Sequence, residues 1–283
     1  MKSIPIRHIK SEKEVAPNFR IRTVDALLGG KDMVQELHRH NFYFVLALKK
    51  GKGTHEIDFA PYKVEDNCFF IMRPGQVHQL TLKAGSTGYL LEFNSEFYQL
   101  HERGTSQVLR QATHTNLCRM DTKAFTKLHS VLSYIAEEFL EQREGYLQII
   151  KSNLDIFFIE FLRQRKQHDR PAAGSAYEQE KLQQFLEQLE KNARTQKQVS
   201  EYADAMNMSV YQLNNVTKTT LGKTASDVIN DHIILEAKRY LLATAEQINQ
   251  IAYHLGYEDP SYFIRFFKKH TTQTPEAFRS NFK

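Results

Sequence analysis

The chain has 283 residues, of which 41% are hydrophobic and 25% charged, so its length and composition fit about two globular domains. No apolar run approaches the ~18 residues that a membrane-spanning helix needs, and residues 1–5 have no apolar signal segment. The net charge is +5, but residues 178–283 carry 13 basic and 13 acidic side chains, so total charge alone does not indicate nucleic-acid binding. Cys68 and Cys118 lie in unrelated segments, and we expect buried free thiols in a cytoplasmic protein.

The first third of the chain has the pattern of short strands. Turn signals such as Pro74-Gly75 and Gly85 separate the apolar segments at roughly ten-residue intervals. The predicted strands cover residues 19–24, 42–48, 54–59, 62–65, 68–72, 77–82 and 88–93. This spacing predicts an antiparallel β-sandwich or β-barrel within about residues 1–95.

Residues 121–167 change to helical periodicity. Two apolar stripes, which begin at Phe125 and Leu147, are separated by Gly145, so the segment predicts a helical hairpin. It carries more apolar surface than a small barrel can obviously cover. The hairpin therefore either covers the barrel or forms a seam between two copies, and we favour a homodimer.

The periodicity ends at residues 163–175, which are polar and small and resemble a linker. The expected domains are residues 1–165, a linker at 166–177, and residues 178–283. In the last of these, an amphipathic helix over residues 178–191 is followed by a helix-rich region. A long helix over residues 224–242 divides that region into two similar halves.

The two halves contain the same motif, 49 to 50 residues apart. The matching pairs are Ala203 with Ala252, Asn207 with Gly256, Leu213 with Phe263, Lys218 with Lys268, Thr224 with Thr274, Ala225 with Pro275, and Val228 with Phe278. Each copy predicts a helix, a tight turn at Asn207 or Gly256, and a second helix. Ser209 and Asp259 are expected to cap the second helices, and Pro260 suits a first helical position. Two helix-turn-helix motifs in register indicate DNA binding.

The second copy in particular resembles the AraC/XylS family of transcription regulators. The resemblance rests on an Ile-Ala-x-x-x-Gly-aromatic run at residues 251–257, on Ser261-Tyr262-Phe263, on Phe267-Lys268-Lys269 and on Thr274-Pro275. In the first copy Asn215 stands where the family often has Arg. The resemblance implies an all-α DNA-binding domain of about a hundred residues.

Helical phase then selects the side chains that would face DNA. In the first recognition helix they are Tyr211, Asn214, Asn215 and Lys218; in the second they are Pro260, Ser261, Ile264, Arg265, Lys268 and Lys269. Asparagine can pair with adenine and arginine with guanine, while lysines meet phosphates. Two such helices fit successive major grooves of double-stranded DNA, roughly 34 Å apart.

The strand region resembles a cupin barrel, the sensor domain common in the AraC family. The resemblance rests on His38-x-His40, Gly51 and Pro74-Gly75-Gln76-Val77-His78. Metal-holding cupins carry a Glu that would fall at Phe44 or Val45 here, so we expect no metal and no cofactor, although three imidazoles could bind zinc in principle. The expected lumen holds a small organic effector, lined by His38, Arg39, Tyr43 and His78. Alternatively, these histidines lie at the rim and hydrogen-bond to the backbone.

The predicted fold class is thus α+β multidomain, with a cupin-like antiparallel β-barrel and helical hairpin before an all-α domain with two helix-turn-helix motifs. The predicted function is a non-enzymatic, sequence-specific transcription regulator, activator or repressor, controlled by an effector, with RNA polymerase as a candidate further partner. One alternative is a cupin-type metal-dependent enzyme with a DNA-tethering tail, which the missing Glu disfavours. Another is a constitutive DNA-binder whose barrel only dimerises.

Overall fold

The computed structural model describes residues 4–9, 18–98, 103–168 and 174–282. These residues form two compact units: residues 5–168, and residues 174–282 together with Ile4. The first residues of the predicted barrel, the middle of the predicted linker and Lys283 lie outside the described residues.

The N-terminal unit is built on two five-stranded sheets. Their strands are β1 (Ile6–Arg7), β2 (Phe19–Thr23), β3 (Met33–His40), β4 (Tyr43–Lys50), β5 (Gly53–Ile57), β6 (Ala60–Val64), β7 (Cys68–Met72), β8 (Val77–Leu82), β9 (Thr87–Phe93) and β10 (Leu117–Arg119). One sheet has the order β1-β3-β8-β5-β6 and the other β10-β7-β4-β9-β2. Strand β1 runs parallel to β3, and the other pairings are antiparallel. The cupin-like, antiparallel-rich barrel is confirmed.

Alternation along strand β4 places two cores on opposite faces of its sheet. Phe44, Leu46 and Leu48 pack in the barrel interior, whereas Val45 and Ala47 pack against helices on the outside. These outer helices are α2 (Arg103–Ala112), α3 (Thr122–Glu141) and α4 (Tyr146–His168), whereas α1 (Val24–Leu28) contributes Val24 and Leu28 to the interior core. A strand that is buried on both faces has a continuous apolar sequence, and this pattern is what predicts β4 from the sequence.

The predicted helical hairpin is formed by α3 and α4. Asp121 caps α3 by accepting a hydrogen bond from the Ala124 amide, and Gly145, with φ 79°, lies in the turn before α4. The linker prediction was wrong at both ends, because α4 continues to His168 and α5 begins at Ala176. Arginine, lysine and glutamine favour helices, so the loss of apolar periodicity did not end this one.

The C-terminal unit is all-helical. Its helices are α5 (Ala176–Asn192), α6 (Val199–Ala205), α7 (Val210–Leu221), α8 (Ala225–Ala243), α9 (Ile248–His254), α10 (Pro260–Thr271) and α11 (Pro275–Asn281). Asn207 and Gly256 adopt left-handed φ values of 52° and 76°, as the two predicted turns require. At Gly256 a Cβ would also lie 1.6 Å from the Arg194 carbonyl oxygen, so only glycine fits there. No helix of the described residues is long and apolar enough to span a bilayer.

Candidate functional sites: two recognition helices and a histidine-lined cavity

Helices α7 and α10 share their burial pattern at most positions fifty residues apart. Leu213 and Phe263 are fully buried, as are Thr217 and Phe267 one turn later. The exposed pairs are Tyr211 with Ser261, Gln212 with Tyr262, Asn215 with Arg265, Lys218 with Lys268, and Thr219 with Lys269. The duplication seen in the sequence is therefore also a duplication of one exposed helix face.

Local hydrogen bonds fix where each recognition helix begins. The Ser209 hydroxyl accepts from the Gln212 amide at 3.2 Å, and the Gln212 side chain accepts from the Ser209 amide at 2.8 Å. In the second copy the Asp259 carboxylate accepts from the Ser261 amide at 2.8 Å, with Pro260 at the first helical position. Both predicted caps are confirmed. They orient the first turn of each helix, the part that enters the major groove in this motif.

The structure corrects the prediction that the Asn214 side chain faces DNA. Asn214 is half-buried, its Oδ1 accepts a hydrogen bond from the Ala225 amide at 3.0 Å, and its Nδ2 donates to the Val210 carbonyl at 3.0 Å. The equivalent residue in the second copy, Ile264, is also half-buried. This position lies between the buried and exposed faces, so helical phase alone assigned it to the wrong side.

The exposed faces of the two helices differ in chemistry. On α7, Tyr211 is 81% exposed, Asn215 offers an amide, and Lys218 is the basic residue. On α10, Arg265 is exposed, and one of its guanidinium nitrogens lies 3.9 Å from a carboxylate oxygen of Asp259. Lys268 and Lys269 follow it and are both exposed, whereas Pro260 is half-buried.

Two residues near these faces were missed in the sequence. Tyr262 is 56% exposed and occupies the position equivalent to Gln212, so applying the repeat to exposed positions would have found it. Glu178, from α5, lies with its Oε1 3.4 Å from the Asn215 Nδ2. This carboxylate places a negative charge beside the first recognition helix.

The N-terminal unit holds a cavity of about 550 Å³ inside the barrel. Its apolar wall includes Phe44, Leu46 and Leu80. Its polar lining consists of Arg7, His8, Arg20, Arg22, Gln35, His38, His40, His78 and Glu92. The size and mixed lining are those of a small-molecule site.

Arg22 and Glu92 form an ion pair at 3.0 Å, and the Arg7 guanidinium donates to the Gln35 side chain. Burial raises the pKa of Glu92, against the opposing influence of Arg22 and Arg20. The lining thus contains three guanidinium groups and one carboxylate, which leaves an excess of positive charge. The signal in the sequence was the alternation of Arg20 and Arg22, which places both on one face of β2.

Four histidines cluster beside this cavity. The Nε2 atom of His78 lies 2.7 Å from Nε2 of His40 and 3.0 Å from Nε2 of His38, and His78 Nδ1 lies 2.8 Å from Nε2 of His55. Burial lowers the pKa of His38 to about 4 and the pKa values of His40 and His55 to about 3, and it holds the pKa of His78 well below its ordinary value. All four rings are therefore neutral near pH 7.

The structure brings His38 and His78 into the lumen as predicted, but not the other two residues named for the effector. Arg39 points away because its neighbours His38 and His40 face inward on the same strand. Tyr43 stacks on Phe93 at 5.1 Å between ring centroids, on the face that packs against the helices. The alternation along β3 would have identified His40. His55 comes from another strand, and no pattern in the sequence indicated it.

Together, these features define a class of protein: a barrel with an internal cavity, followed by two helix-turn-helix motifs. A family model described as an AraC-like ligand binding domain matches residues 31–142, and one described as a helix-turn-helix domain matches residues 202–281. The chain belongs to the AraC/XylS family and is a DNA-binding transcription regulator with an AraC-like ligand-binding domain.

The chain is 24% identical over 250 residues to the HTH-type transcriptional activator RhaS of Pectobacterium atrosepticum, with 86% of each chain covered. Among solved structures it is similar to ToxT from Vibrio cholerae O395, with a TM-score of 0.44, 13% identity and coverage of 93% of this chain and 97% of that one. It is also similar to an AraC-type regulator from Chromobacterium violaceum, with a TM-score of 0.35, 24% identity and coverage of 38% and 96%.

Proposed function

We propose that this regulator changes its DNA binding when a small acidic organic molecule occupies the barrel cavity. The observation that carries the proposal is the lining: Arg7, Arg20 and Arg22 face the same space as an apolar wall, with Glu92 as the lining carboxylate. Guanidinium groups pair with carboxylates in a fixed fork geometry, and the apolar wall suits a carbon skeleton.

On the DNA side, we propose that α7 and α10 each enter a major groove. Asn215 and Arg265 read base edges at equivalent positions, Tyr211 and Ser261 contact the bases or backbone beside them, and Lys218, Lys268 and Lys269 contact phosphates. The exposure of these side chains on two repeated helices supports this assignment. Pro260 and Ile264, which are half-buried, contribute shape more than direct contact.

We further propose that two copies pair through the exposed face of α4. Ile156 and Ile159 are 53% and 42% exposed and lie one turn apart on this helix, while the opposite face of α4 is buried in the unit. A second copy would cover this apolar pair, and a dimer would place two DNA-binding domains on one operator.

The regulator is proposed to act in the cytoplasm, where its two cysteines, both buried and neither in a disulfide, stay reduced and where RNA polymerase is available as a further partner. A role as a regulator and not an enzyme is supported by its relatives, which are transcriptional activators. Ligand control, as against a barrel that only dimerises, is supported by the charged cavity.

Thermal-shift screening of the metal-free full chain tests the effector class. Small organic acids are compared one by one with their own amides. We expect particular acids to raise the melting temperature, their amides to have no effect, and the active acids to change affinity for a DNA site selected in vitro from a random pool. If neutral amides stabilise the chain as well as the acids do, the proposed class is wrong.

A matched pair of variants locates the effect. Arg20→Gln removes one guanidinium from the cavity lining, whereas Arg39→Gln removes one from strand β3 at a position that does not line the cavity. The acid concentration that gives a half-maximal shift in melting temperature should rise at least tenfold for Arg20→Gln and stay unchanged for Arg39→Gln. Equal losses in both variants would mean that the acid binds elsewhere.

A further inference from the structure

The convergence of three imidazole nitrogens is not explained by recognition of an acid. His38, His40 and His78 come from two paired strands, β3 and β8, and each contributes a ring nitrogen to a group whose members lie within 4.8 Å of one another. All three residues line the cavity, and each is at most 2% exposed. Buried polar groups are almost always hydrogen-bonded or bound to another partner.

Counting protons shows that the three rings do not satisfy one another. His38 Nδ1 lies 2.7 Å from the carbonyl oxygen of Glu36, which can only accept, so this neutral ring carries its proton on Nδ1 and presents a lone pair at Nε2. If His78 donates from Nε2 to His38, the same nitrogen has no lone pair left for the contact with His40 at 2.7 Å. If His78 Nε2 instead accepts from an Nε2–H of His40, its lone pair faces the lone pair of His38, so one of the two contacts is not a hydrogen bond in either tautomer. A single cation at this point would serve all three lone pairs.

The outer ring nitrogens of His38 and His78 are arranged as metal ligands usually have them, whereas Nδ1 of His40 is buried without a hydrogen-bond partner among the described residues. His38 Nδ1 donates to the Glu36 carbonyl, and His78 Nδ1 lies 2.8 Å from His55 Nε2, which can accept from it. Such contacts fix the tautomer and point Nε2 at the ion. His55 is fully buried and does not line the cavity, so its place is behind the cluster and not within it.

We propose that Nε2 of His38, His40 and His78 bind one late first-row divalent ion, of which Zn²⁺ is the probe, with its remaining coordination positions open to the cavity. Two nitrogens about 2.1 Å from one ion lie about 3.0–3.4 Å apart at right or tetrahedral angles. The observed 2.7 and 3.0 Å would therefore open by less than about 1 Å. Neutral imidazole is the form that binds such ions.

Phe44 explains why positions on the ion stay open. Its ring lies 5.3 Å from that of His40 and 5.4 Å from that of His78, so an apolar side chain stands where a fourth protein ligand could have been. A donor atom of a cavity ligand, or water, would complete the coordination. The ion site rests on the histidine geometry alone; only its use by the effector rests on the proposed function.

Zinc binding is measured on the untagged full chain after chelator treatment, by competition with a chromophoric chelator and by elemental analysis. We expect one Zn²⁺ per chain, a Zn²⁺-dependent rise in melting temperature, and Co²⁺ absorption bands typical of nitrogen coordination. His40→Gln and His38→Gln should each weaken binding by at least 100-fold, and His55→Gln by about 10–100-fold. His254→Gln, at an exposed histidine of the C-terminal unit, is the control and should change nothing.

The proposal is overturned if the wild-type chain binds Zn²⁺ no more tightly than the His38→Gln and His40→Gln variants do, or if His254→Gln lowers the affinity as much as they do. Using two ligand variants keeps the test decisive if one of them fails to fold. Because the acid screen uses metal-free chain, a negative zinc result leaves the acid proposal standing. A failed acid screen likewise leaves the zinc result intact.

Discussion

Oδ1 of Asn214 accepts a hydrogen bond from the backbone amide of Ala225 at 3.0 Å, which ties the first recognition helix to the start of the long helix α8. The equivalent residues in the second copy are Ile264 and Pro275. Proline has no N–H, so no acceptor is needed there, and an apolar side chain stands in its place. Neither copy therefore leaves a backbone N–H without an acceptor at this junction.

Asn214→Ala should destabilise the C-terminal unit by about 1–2 kcal/mol, because the Ala225 amide loses its acceptor. Base preference should stay unchanged. Asn215→Ala, one residue further along on an exposed position, is the control and should leave the unfolding free energy within about 0.5 kcal/mol of the wild-type value. Chemical denaturation of both variants checks this. Equal stability losses would contradict the assignment of Asn214 to the fold and Asn215 to the surface.

The C-terminal unit should bind DNA by itself, and residues 1–168 should not. A fragment that begins at residue 174 keeps the Ser175 and Glu178 capping box of α5, whereas one that begins at residue 178 loses it. The longer fragment should therefore be more stable by about 1 kcal/mol. Denaturation curves and gel shifts at moderate salt test both points. If the longer fragment shows no preference for the selected site over random duplex, the unit does not act independently.

Assembly should depend on the outer face of α4. The double variant Ile156→Lys with Ile159→Lys should be monomeric at micromolar concentration, since two buried charges would oppose pairing. Leu140→Lys, at an 83% exposed position near the end of α3, is the control and should remain dimeric. Light scattering distinguishes the outcomes, and a wild-type chain that is monomeric would contradict the proposed dimer. Leu132 and Leu154 are fully buried, so substitutions there test folding instead.

The sequence predicted those features that depend on local pattern. Strands β7 and β8 were predicted at their observed bounds because turn residues flank short, apolar-rich segments. Strand β3 was missed because its inner positions are His38 and His40, whose burial depends on a cavity that no local pattern reveals. His55 reaches the cluster through the pairing of β5 with β8, a contact between distant segments. Asn214 was misplaced because its partner lies eleven residues away, in the next helix.

The most direct test of the account is the affinity of Arg265→Ala, Asn215→Ala and Lys268→Ala for single-base variants of the selected site at two salt concentrations. Arg265→Ala should cost about 1–3 kcal/mol and relax preference at one base pair, as a bidentate contact to guanine predicts. Asn215→Ala should cost less, because a neutral pair lacks charge assistance. Lys268→Ala should weaken all variants alike and lower the salt slope by about one. The assignment of Arg265 to a base and Lys268 to a phosphate is contradicted if Arg265→Ala weakens every variant equally while Lys268→Ala changes base preference.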